Sequence, residues 1–335
     1  MTRRRGDAAA SRLWIGPAVL SWAAGGLFSL PCHAAEYGLQ VYPLGTQASM
    51  SGATPPPGVY FSDTAVSYNG TGSNNLVIPL GVEAGLGVKQ SILVDAATLS
   101  LITKPVVGGG QFGVIATLPY GRVRVDAETT FTGPDENIPG GASSDTEIGL
   151  GDLSLTALLG WSSGFHHWNL MATAVLPTGL YSRTSLSNVG LHRPAVDIRG
   201  GYTWLNLKTG LELSAAAGFT FNAENTATHY LTGDELHIEG SIDKHFHSGW
   251  AIGVGGYQYV QLTGDSGSGA KIGSFRGRVT AIGPLASYTV RVGQTPVQFG
   301  ARWFHEFGVS NRVGGDSISL SIAFPLASLG ASPGH

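Results

Sequence analysis

Ionisable and apolar residues alternate along the stretch DELHIEGSIDKHF, residues 234–246. On a β-strand, alternate side chains point to opposite faces, so one face of this stretch would carry carboxyl and imidazole groups. The residues of that face are Glu235, His237, Glu239, Ser241, Asp243 and His245. Such residues build metal sites and acid–base catalysts, and they also line the water-filled interiors of β-barrels.

A metal site on this face would need ligands from a second strand. Side chains at i and i+2 lie roughly 6.6 Å apart along a strand, whereas zinc ligands lie about 2.0–2.2 Å from the ion. His237 and Glu239 therefore cannot close around one ion alone. Glu212, Tyr257 or Tyr259 could supply a neighbour, although tyrosine is an uncommon zinc ligand. A water-filled lumen does not require these side chains to converge on one ion, so we favour the interpretation that this face is part of a lumen wall. We expect no metal and no other cofactor.

A membrane-embedded serine hydrolase is the other chemical possibility. It would need Ser, His and a carboxylate or amide within hydrogen-bond reach. Ser241 has His237 and His245 on its own face, but each is roughly 13 Å away along the strand. The sequence GWSSG at 160–164 lacks the G-x-S-x-G order of a nucleophile elbow. We therefore predict that the protein is not an enzyme and has no catalytic residues.

Alternation of this kind recurs, as in YGRVRVDAET at 120–129, GLELSAAAGFTFN at 210–222 and DSISLSIAF at 316–324. The composition agrees, because 50 glycines and only 12% charged residues suit a protein rich in strands and turns. The patterns predict twelve strands, at 58–69, 91–104, 112–131, 147–161, 165–177, 194–205, 208–222, 234–246, 249–264, 272–290, 297–308 and 314–324.

The predicted connections differ between the two ends of these strands. Turns such as SSG at 162–164 are short, whereas 71–90, 132–146 and 178–193 are long and rich in turn residues. Short turns at one end and long loops at the other are typical of outer-membrane barrels. The predicted fold class is all-β, an antiparallel up-and-down transmembrane β-barrel of about twelve strands.

A soluble β-sandwich or barrel would also alternate polar and apolar residues. Many of the predicted strands, however, are long enough for a tilted membrane span, and the low charge would cover a soluble surface poorly. Tryptophans also cluster near strand ends, as the aromatic girdles of membrane barrels do. They are Trp161, Trp168, Trp204 and Trp250.

The N-terminal residues 1–35 are predicted to be a secretory signal peptide. A basic head that includes Arg3–Arg5 precedes the apolar run 13–30, and cleavage is expected after Ala34 or Ala35. Removal of this leader makes the net charge of −3 more negative and removes the only cysteine, Cys32. No basic patch for nucleic acid remains. Residues 36–57 would be a periplasmic segment or a small plug, 58–324 the barrel, and 325–335 a tail.

Several polar faces of the predicted strands are expected to line the lumen. Their Arg groups would brace the wall through pairs with Asp, Glu and Tyr, or set solute preference. The lumen-lining candidates are Arg122, Arg124, Asp126, Glu128, Glu212, Glu235, His237, Glu239, Asp243, Tyr257, Tyr259, Arg276, Arg278, Arg302 and Glu306.

Short motifs in a fixed order resemble a known family. They are PPGVYF (56–61), GLGDLSL (149–155), HW (167–168), LPTGLY (176–181), GDELH (233–237), TGDSGSGA (263–270), GRVTAIGP (277–284) and SNR (310–312). The chain is similar to the outer-membrane family named for the meta-pathway of phenol degradation, from about Pro55 to Phe324. The resemblance implies an outer-membrane transporter or channel for aromatic and other hydrophobic compounds, and it carries no catalytic motif.

We therefore expect passive uptake of a small hydrophobic or aromatic solute across the outer membrane. The expected partners are outer-membrane lipid, the solute and the barrel-assembly machinery during insertion, without nucleic acid. The alternative is a non-transporting barrel with a structural or surface-interaction role. A lumen closed by 36–57 and by ion pairs between strands would favour that alternative.

Overall fold

A computed structural model describes residue 36 and residues 39–78, 82–132, 137–271 and 273–329. Within these residues, thirteen strands form one antiparallel sheet. They are β1 (Gly58–Ile78), β2 (Val82–Val107), β3 (Gly110–Thr132), β4 (Asn137–Leu150), β5 (Leu153–Ser163), β6 (His166–Leu176), β7 (Ala195–Asn206), β8 (Leu211–Asn222), β9 (Glu235–His245), β10 (Trp250–Gln261), β11 (Arg278–Val292), β12 (Thr295–Ser310) and β13 (Gly314–Ser328). No helix among the described residues is both long and apolar enough to cross a membrane.

The sheet closes on itself because β1 pairs with both β2 and β13. Strand β3 has two partners on one edge. Its Gln111–Thr117 part pairs with β5, and its Tyr120–Thr132 part pairs with β4. Twelve strands therefore complete the ring, and β4 is an additional strand beside the upper part of β3. The prediction of an all-β, up-and-down, twelve-strand barrel is confirmed.

Closure satisfies the backbone donors and acceptors of the ring, which is what allows strands to cross lipid. Most outward side chains are apolar and exposed, as the alternation predicts, although Asp63 on β1 and Asp95 on β2 also lie on the outer face. Examples are Ile238 and Ile242 on β9, Ile252 and Val254 on β10, and Leu320 on β13. Such a continuous apolar surface is unusual on a soluble protein and is the lipid-facing belt of a membrane barrel.

Aromatic side chains lie at the end of the barrel that has the short turns. Trp250 contacts Tyr288 with ring centroids 4.8 Å apart, and Phe165 lies edge-on to Trp204 at 6.3 Å. His166 also bonds the Tyr202 hydroxyl at 2.6 Å. Amphipathic rings of this kind occupy the boundary between lipid and water, so this end carries an interface girdle.

Two predicted loops are strands in the structure. Most of 71–90 belongs to the β1–β2 hairpin, which stays paired up to Ile78 and Val82. Most of 132–146 belongs to β4, which begins at Asn137. The Gly- and Asn-rich sequence there hides the alternation, but backbone pairing to a neighbouring strand continues regardless of side-chain type. Strand β13 also continues to Ser328, beyond the predicted end at Phe324.

The lipid belt generates a stability prediction. Val254 is 54% exposed in the middle of β10, so Val254→Arg would place a charge in hydrocarbon and lower the free energy of unfolding by about 2–4 kcal/mol. Ala142→Arg is the control, because Ala142 is exposed on β4, above the belt and opposite Glu128. Urea unfolding in lipid vesicles measures both variants. Equal losses in the two would contradict the position of the belt.

Candidate functional site

The chain that precedes β1 runs through the lumen. We call Glu36 and residues 39–57 the lumen segment. At the long-loop end, the Leu39 carbonyl accepts a hydrogen bond from Arg193 at 2.7 Å. Further along, the Gly52 N–H donates to Thr203 on β7 at 3.0 Å, and the Pro55 carbonyl accepts from Gln111 near the short-turn end. The segment therefore extends along the barrel from one end to the other.

Glu36 anchors the segment at the long-loop end. Its carboxylate accepts hydrogen bonds from Thr228 at 2.6 Å and Asn225 at 2.8 Å, and its N–H donates to Thr232 at 3.2 Å. Burial raises the pKa of Glu36, although the bonds from Thr228 and Asn225 and the charge of Arg193 partly offset the rise. The first anchor is thus a buried carboxyl group held by loop side chains.

Glu239 anchors the middle of the segment. One carboxylate oxygen accepts from the Tyr42 hydroxyl, and the other accepts from the Gln47 N–H at 3.2 Å. The Tyr42 ring stacks on His237, with centroids 3.6 Å apart and planes 13° apart. His237 is held in turn by Asp197, with Nε2 and Oδ2 2.7 Å apart. The ionisable face of β9 therefore binds the lumen segment.

Glu212 anchors the segment nearer the short-turn end and is fully buried. Its Oε1 accepts from the Met50 N–H and the Ser214 hydroxyl, both at 2.6 Å, and its Oε2 lies 2.6 Å from His245 Nε2. Met50 has a φ of 53°, a left-handed conformation that costs energy for a residue other than glycine. The Glu212 bond stabilises the turn at this position.

Apolar packing completes the attachment. Leu44 and Ala48 of the lumen segment pack against a cluster on β10–β12. The cluster consists of Tyr257, Tyr259, Val279, Ala281, Leu285 and Phe304. Beside it, Glu306 accepts from the Tyr68 and Tyr257 hydroxyls at 2.8 and 2.9 Å, and Arg312 lies 4.9 Å above the Tyr259 ring. The lumen segment thereby covers most of the inner face from β7 to β12.

On the middle strands of the remaining inner wall, none of the inward side chains that the structure describes is charged. On β13, β1, β2, β5, β6 and the lower part of β3, the inward residues are mainly Ser, Thr, Ala, Val and Ile. Most of them stay half-buried rather than buried. Examples are Ser62, Thr64, Val94, Ala96, Thr98, Ile115, Thr117, Thr173, Ser319 and Ser321. The lumen therefore has a charged side sealed by the lumen segment and an uncharged side that remains accessible.

The structure places most of the predicted lumen residues on the inner face. These are Glu212, Glu235, His237, Glu239, Asp243, Tyr257, Tyr259, Arg302 and Glu306. All of them belong to β8, β9, β10 and β12. Arg302 also bonds the lumen segment, because its Nη1 donates to the Thr46 carbonyl at 2.7 Å.

The prediction was wrong for Arg122, Arg124, Asp126 and Glu128. Their alternate neighbours Val123 and Val125 are the buried, inward residues, so this face of β3 points outward. Arg124 pairs with Asp126 at 2.8 Å on that outer surface. The physical reason is that β3 continues above the lipid belt, where the outer face meets water and no longer needs to be apolar.

Arg276 and Arg278 were also wrongly assigned to the lumen. Arg276 is exposed in the loop before β11, and Arg278 is the exposed first residue of that strand. The buried, inward neighbour is Val279. β11 begins at Arg278 and not at residue 272, so Arg276 lies outside the strand, and within the strand the odd-numbered residues Val279 and Ala281 face inward.

Sequence reasoning missed several functional groups. Asp197 and Arg199 are buried on the inner face of β7, in the sequence AVDIRGG, and the alternation used for β9 could have identified them. Glu36 and Tyr42 lie outside any strand, so no periodicity marks them. Among the described residues, no three His, Cys, Asp or Glu side chains are grouped as metal ligands.

The Glu212 anchor generates a prediction for Glu212→Ala. The Met50 N–H and the His245 ring would lose their acceptor, which costs roughly 1–3 kcal/mol per buried group. Amide hydrogen exchange in residues 47–52 should therefore accelerate by about 10- to 100-fold. Glu306→Ala is the matched control, because Glu306 bonds other strands and not the lumen segment. Unchanged exchange in Glu212→Ala would show that Glu212 does not hold the segment.

The Glu36 anchor generates a pH prediction. The pKa of the Glu36 carboxyl is raised in the folded protein. The stability that this group adds to the folded state is therefore fully present below the ordinary pKa of glutamate, and it is lost as the pH rises through the raised pKa. Exchange of the 39–42 amides, corrected for intrinsic rates, should therefore be more protected at pH 4 than at pH 7. Glu36→Gln should remove this difference, with His192 and Arg193 left in place. A difference that persists in Glu36→Gln would assign it to another group.

Solved structures with similar folds were compared with this one. An outer membrane channel from Pseudomonas putida F1 has a TM-score of 0.62 and 14% identity, over 85% of this chain and 98% of that one. A FadL homologue from Pseudomonas aeruginosa reaches a TM-score of 0.38 with 12% identity, over 79% of this chain and 87% of that one. The transport unit of the autotransporter AIDA-I from Escherichia coli reaches 0.45 with 11% identity, over 92% and 96%. The first likeness shows the barrel fold.

Comparison with curated protein sequences finds no match. A family model described as "Putative MetA-pathway of phenol degradation" matches residues 63–322, which include all of the strands from β2 to β12. The order of motifs from PPGVYF to SNR had indicated the same family. The protein belongs to this phenol-degradation family of β-barrels.

Proposed function

We propose that the protein is an outer-membrane channel for passive uptake of small hydrophobic or aromatic compounds. The observation that carries the proposal is the division of the lumen. The charged wall from β7 to β12 is covered by the lumen segment, whereas the inward side chains from β13 through β1–β3 to β6 are uncharged and mostly half-buried, with buried exceptions on β5 and β6 such as Thr156, Leu158 and Asn169. A solute would pass between the lumen segment and this uncharged wall.

The energetics favour an uncharged solute on this path. A charged solute would lose hydration without gaining a partner there, because Ser, Thr and aliphatic side chains supply no counter-charge. An apolar solute would lose contact with water against Val94, Ala96 and Ile115, which is favourable. The lumen segment also occupies the space that a wide aqueous pore would need. Membership in a family described by phenol degradation agrees with aromatic cargo.

The cellular setting follows from the fold and the N-terminal sequence. A closed barrel with an apolar belt requires lipid around it, and we propose the outer membrane as its location. Export would use the signal peptide, with cleavage after Ala34 or Ala35, and insertion would use the barrel-assembly machinery. The leader residues lie outside the described residues. The short-turn end would face the periplasm, and we propose no nucleic-acid partner and no enzymatic role.

A non-transporting barrel remains the competing function, and one observation favours it. The lumen segment is bonded along its length through Glu36, Glu239 and Glu212, so it is held inside the barrel and narrows the lumen. The two functions differ in what they predict for flux. A structural barrel passes no solute. A channel whose lumen is open beside the uncharged wall passes small uncharged molecules.

The test blocks the proposed path with one side chain. Ala96 points inward from β2 and is half-buried, whereas its neighbour Ala97 points outward and is exposed to lipid. Ala96→Trp should reduce uptake at least several-fold, and Ala97→Trp should leave it unchanged because lipid accommodates the ring. Uptake of labelled benzyl alcohol and toluene is measured in vesicles whose outer leaflet is lipopolysaccharide, with protein-free vesicles as the baseline. No uptake above that baseline by the unsubstituted protein would favour the structural role.

A further inference from the structure

Two pairs of threonine hydroxyls face each other on the uncharged wall. Thr98 on β2 and Thr117 on β3 are directly opposite, with their hydroxyl oxygens 2.9 Å apart. Thr156 on β5 and Thr173 on β6 are also opposite, with their hydroxyl oxygens 2.7 Å apart. All four side chains point inward, because the residues on either side of each are the outward ones.

The strand register joins the two pairs into one strip. Thr117 lies opposite Ser154, and Thr156 lies two residues further along β5, so the second pair is diagonal to the first. Diagonal neighbours on one face of a sheet lie roughly 7–8 Å apart. The strip therefore crosses β2, β3, β5 and β6 as a continuous row of hydroxyl groups.

Apolar side chains border the strip on each of its four strands. On β2 the next inward residues towards the long-loop end are Ala96 and Val94, and on β3 the next one towards the short-turn end is Ile115. Leu158 follows Thr156 on β5, and Val175 follows Thr173 on β6. Aliphatic groups thus border the threonine pairs, while Ser62 on β1, Ser100 on β2 and Ser154 on β5 extend the row of hydroxyl groups. Beside aliphatic groups, water competes less effectively for hydrogen bonds.

The strip ends where the charged wall begins. Across from Thr173 lies Asp197 on β7, whose Oδ2 accepts from Thr220 at 2.8 Å and lies 2.7 Å from His237 Nε2. This Oδ2 atom already has two hydrogen-bond partners. A solute on the open side would therefore find its hydrogen-bond partners among the threonines.

Each threonine pair retains hydrogen-bonding capacity. A hydroxyl carries one donor and two acceptor sites, so a bond between two hydroxyls leaves one proton and several lone pairs unused. These unused groups can accept a hydrogen bond from a solute hydroxyl or donate one to a solute oxygen. They offer nothing comparable to a hydrocarbon, which has no hydrogen-bonding group.

We propose that this strip is a binding site for the hydroxyl or carbonyl group of a neutral solute as it passes the uncharged wall. The channel would then favour a small aromatic molecule that carries one such group over the hydrocarbon of similar size. This inference rests on the proposed uptake function and names the chemical group that the path selects. A merely structural role for the pairs is the competing explanation, because cross-strand threonine pairs also stabilise sheets.

The test uses Thr→Val, which keeps the branched shape and replaces the hydroxyl with a methyl group. Benzyl alcohol and toluene form the matched solute pair, and uptake is measured in the lipopolysaccharide-coated vesicles described above. The quadruple variant Thr98→Val, Thr117→Val, Thr156→Val and Thr173→Val should lower benzyl alcohol uptake roughly tenfold, the equivalent of one hydrogen bond at the upper end of its usual range, and leave toluene uptake unchanged. Thr146→Val is the control, because Thr146 is exposed on the outer face of β4.

The outcomes separate this inference from the uptake function. A selective loss for benzyl alcohol supports the site, whereas an unchanged ratio, or an equal fall for both solutes, overturns it and leaves uptake intact. Absence of uptake in the unsubstituted protein overturns the uptake function instead. In that case, NMR saturation transfer from the detergent-solubilised protein to benzyl alcohol tests the strip directly. A signal that is the same in the quadruple variant would overturn the site.

Discussion

Closure of the antiparallel sheet is the constraint on which the rest of this structure depends. Lipid offers no hydrogen bonds to a backbone, so each strand of the ring must find partners on both edges. Once β1 pairs with β13, alternation divides every strand into an outer and an inner set of side chains. The outer set becomes the apolar belt. The inner set encloses a volume that must hold water, side chains or another part of the chain.

Here the enclosed volume is filled unequally, and buried charge explains how. A buried carboxylate is costly unless donors surround it, and the lumen segment supplies those donors from its own backbone and side chains. Glu212 takes the Met50 N–H, and Glu239 takes the Gln47 N–H and the Tyr42 hydroxyl. The carboxylates thereby hold the segment, and the segment supplies donors beside basic neighbours such as His245. The same contacts draw it to β7–β12 and leave most of the opposite wall uncovered, apart from Asn169 on β6 and Gln111 on β3, which bond its Ser51 and Pro55 carbonyls.

The sequence allowed prediction of the fold because alternation, strand length and loop asymmetry all depend on local residue type. It allowed prediction of the β8–β10 part of the lumen for the same reason: one face of each strand meets lipid, so the polar face must be the inner one. That reasoning failed for Arg122 and Arg124. Above the belt the outer face also meets water, so a polar face is no longer necessarily the inner one. It also missed Tyr42 and Glu36, whose positions depend on contacts between distant parts of the chain and leave no periodic signal.

The unequal lumen reconciles two demands that oppose each other. A barrel wall needs polar inner residues, because a fully apolar interior beside an apolar exterior would not specify which face is which. An apolar solute, in contrast, gains no favourable contact from a path lined by charged and hydrated groups. Restricting the charges to β7–β12 and covering them with the lumen segment leaves Ser, Thr and aliphatic residues on the remaining strands. Hydroxyl-bearing residues specify the inner face at little electrostatic cost. Because they carry no charge, they do not attract ions that would compete with a neutral solute.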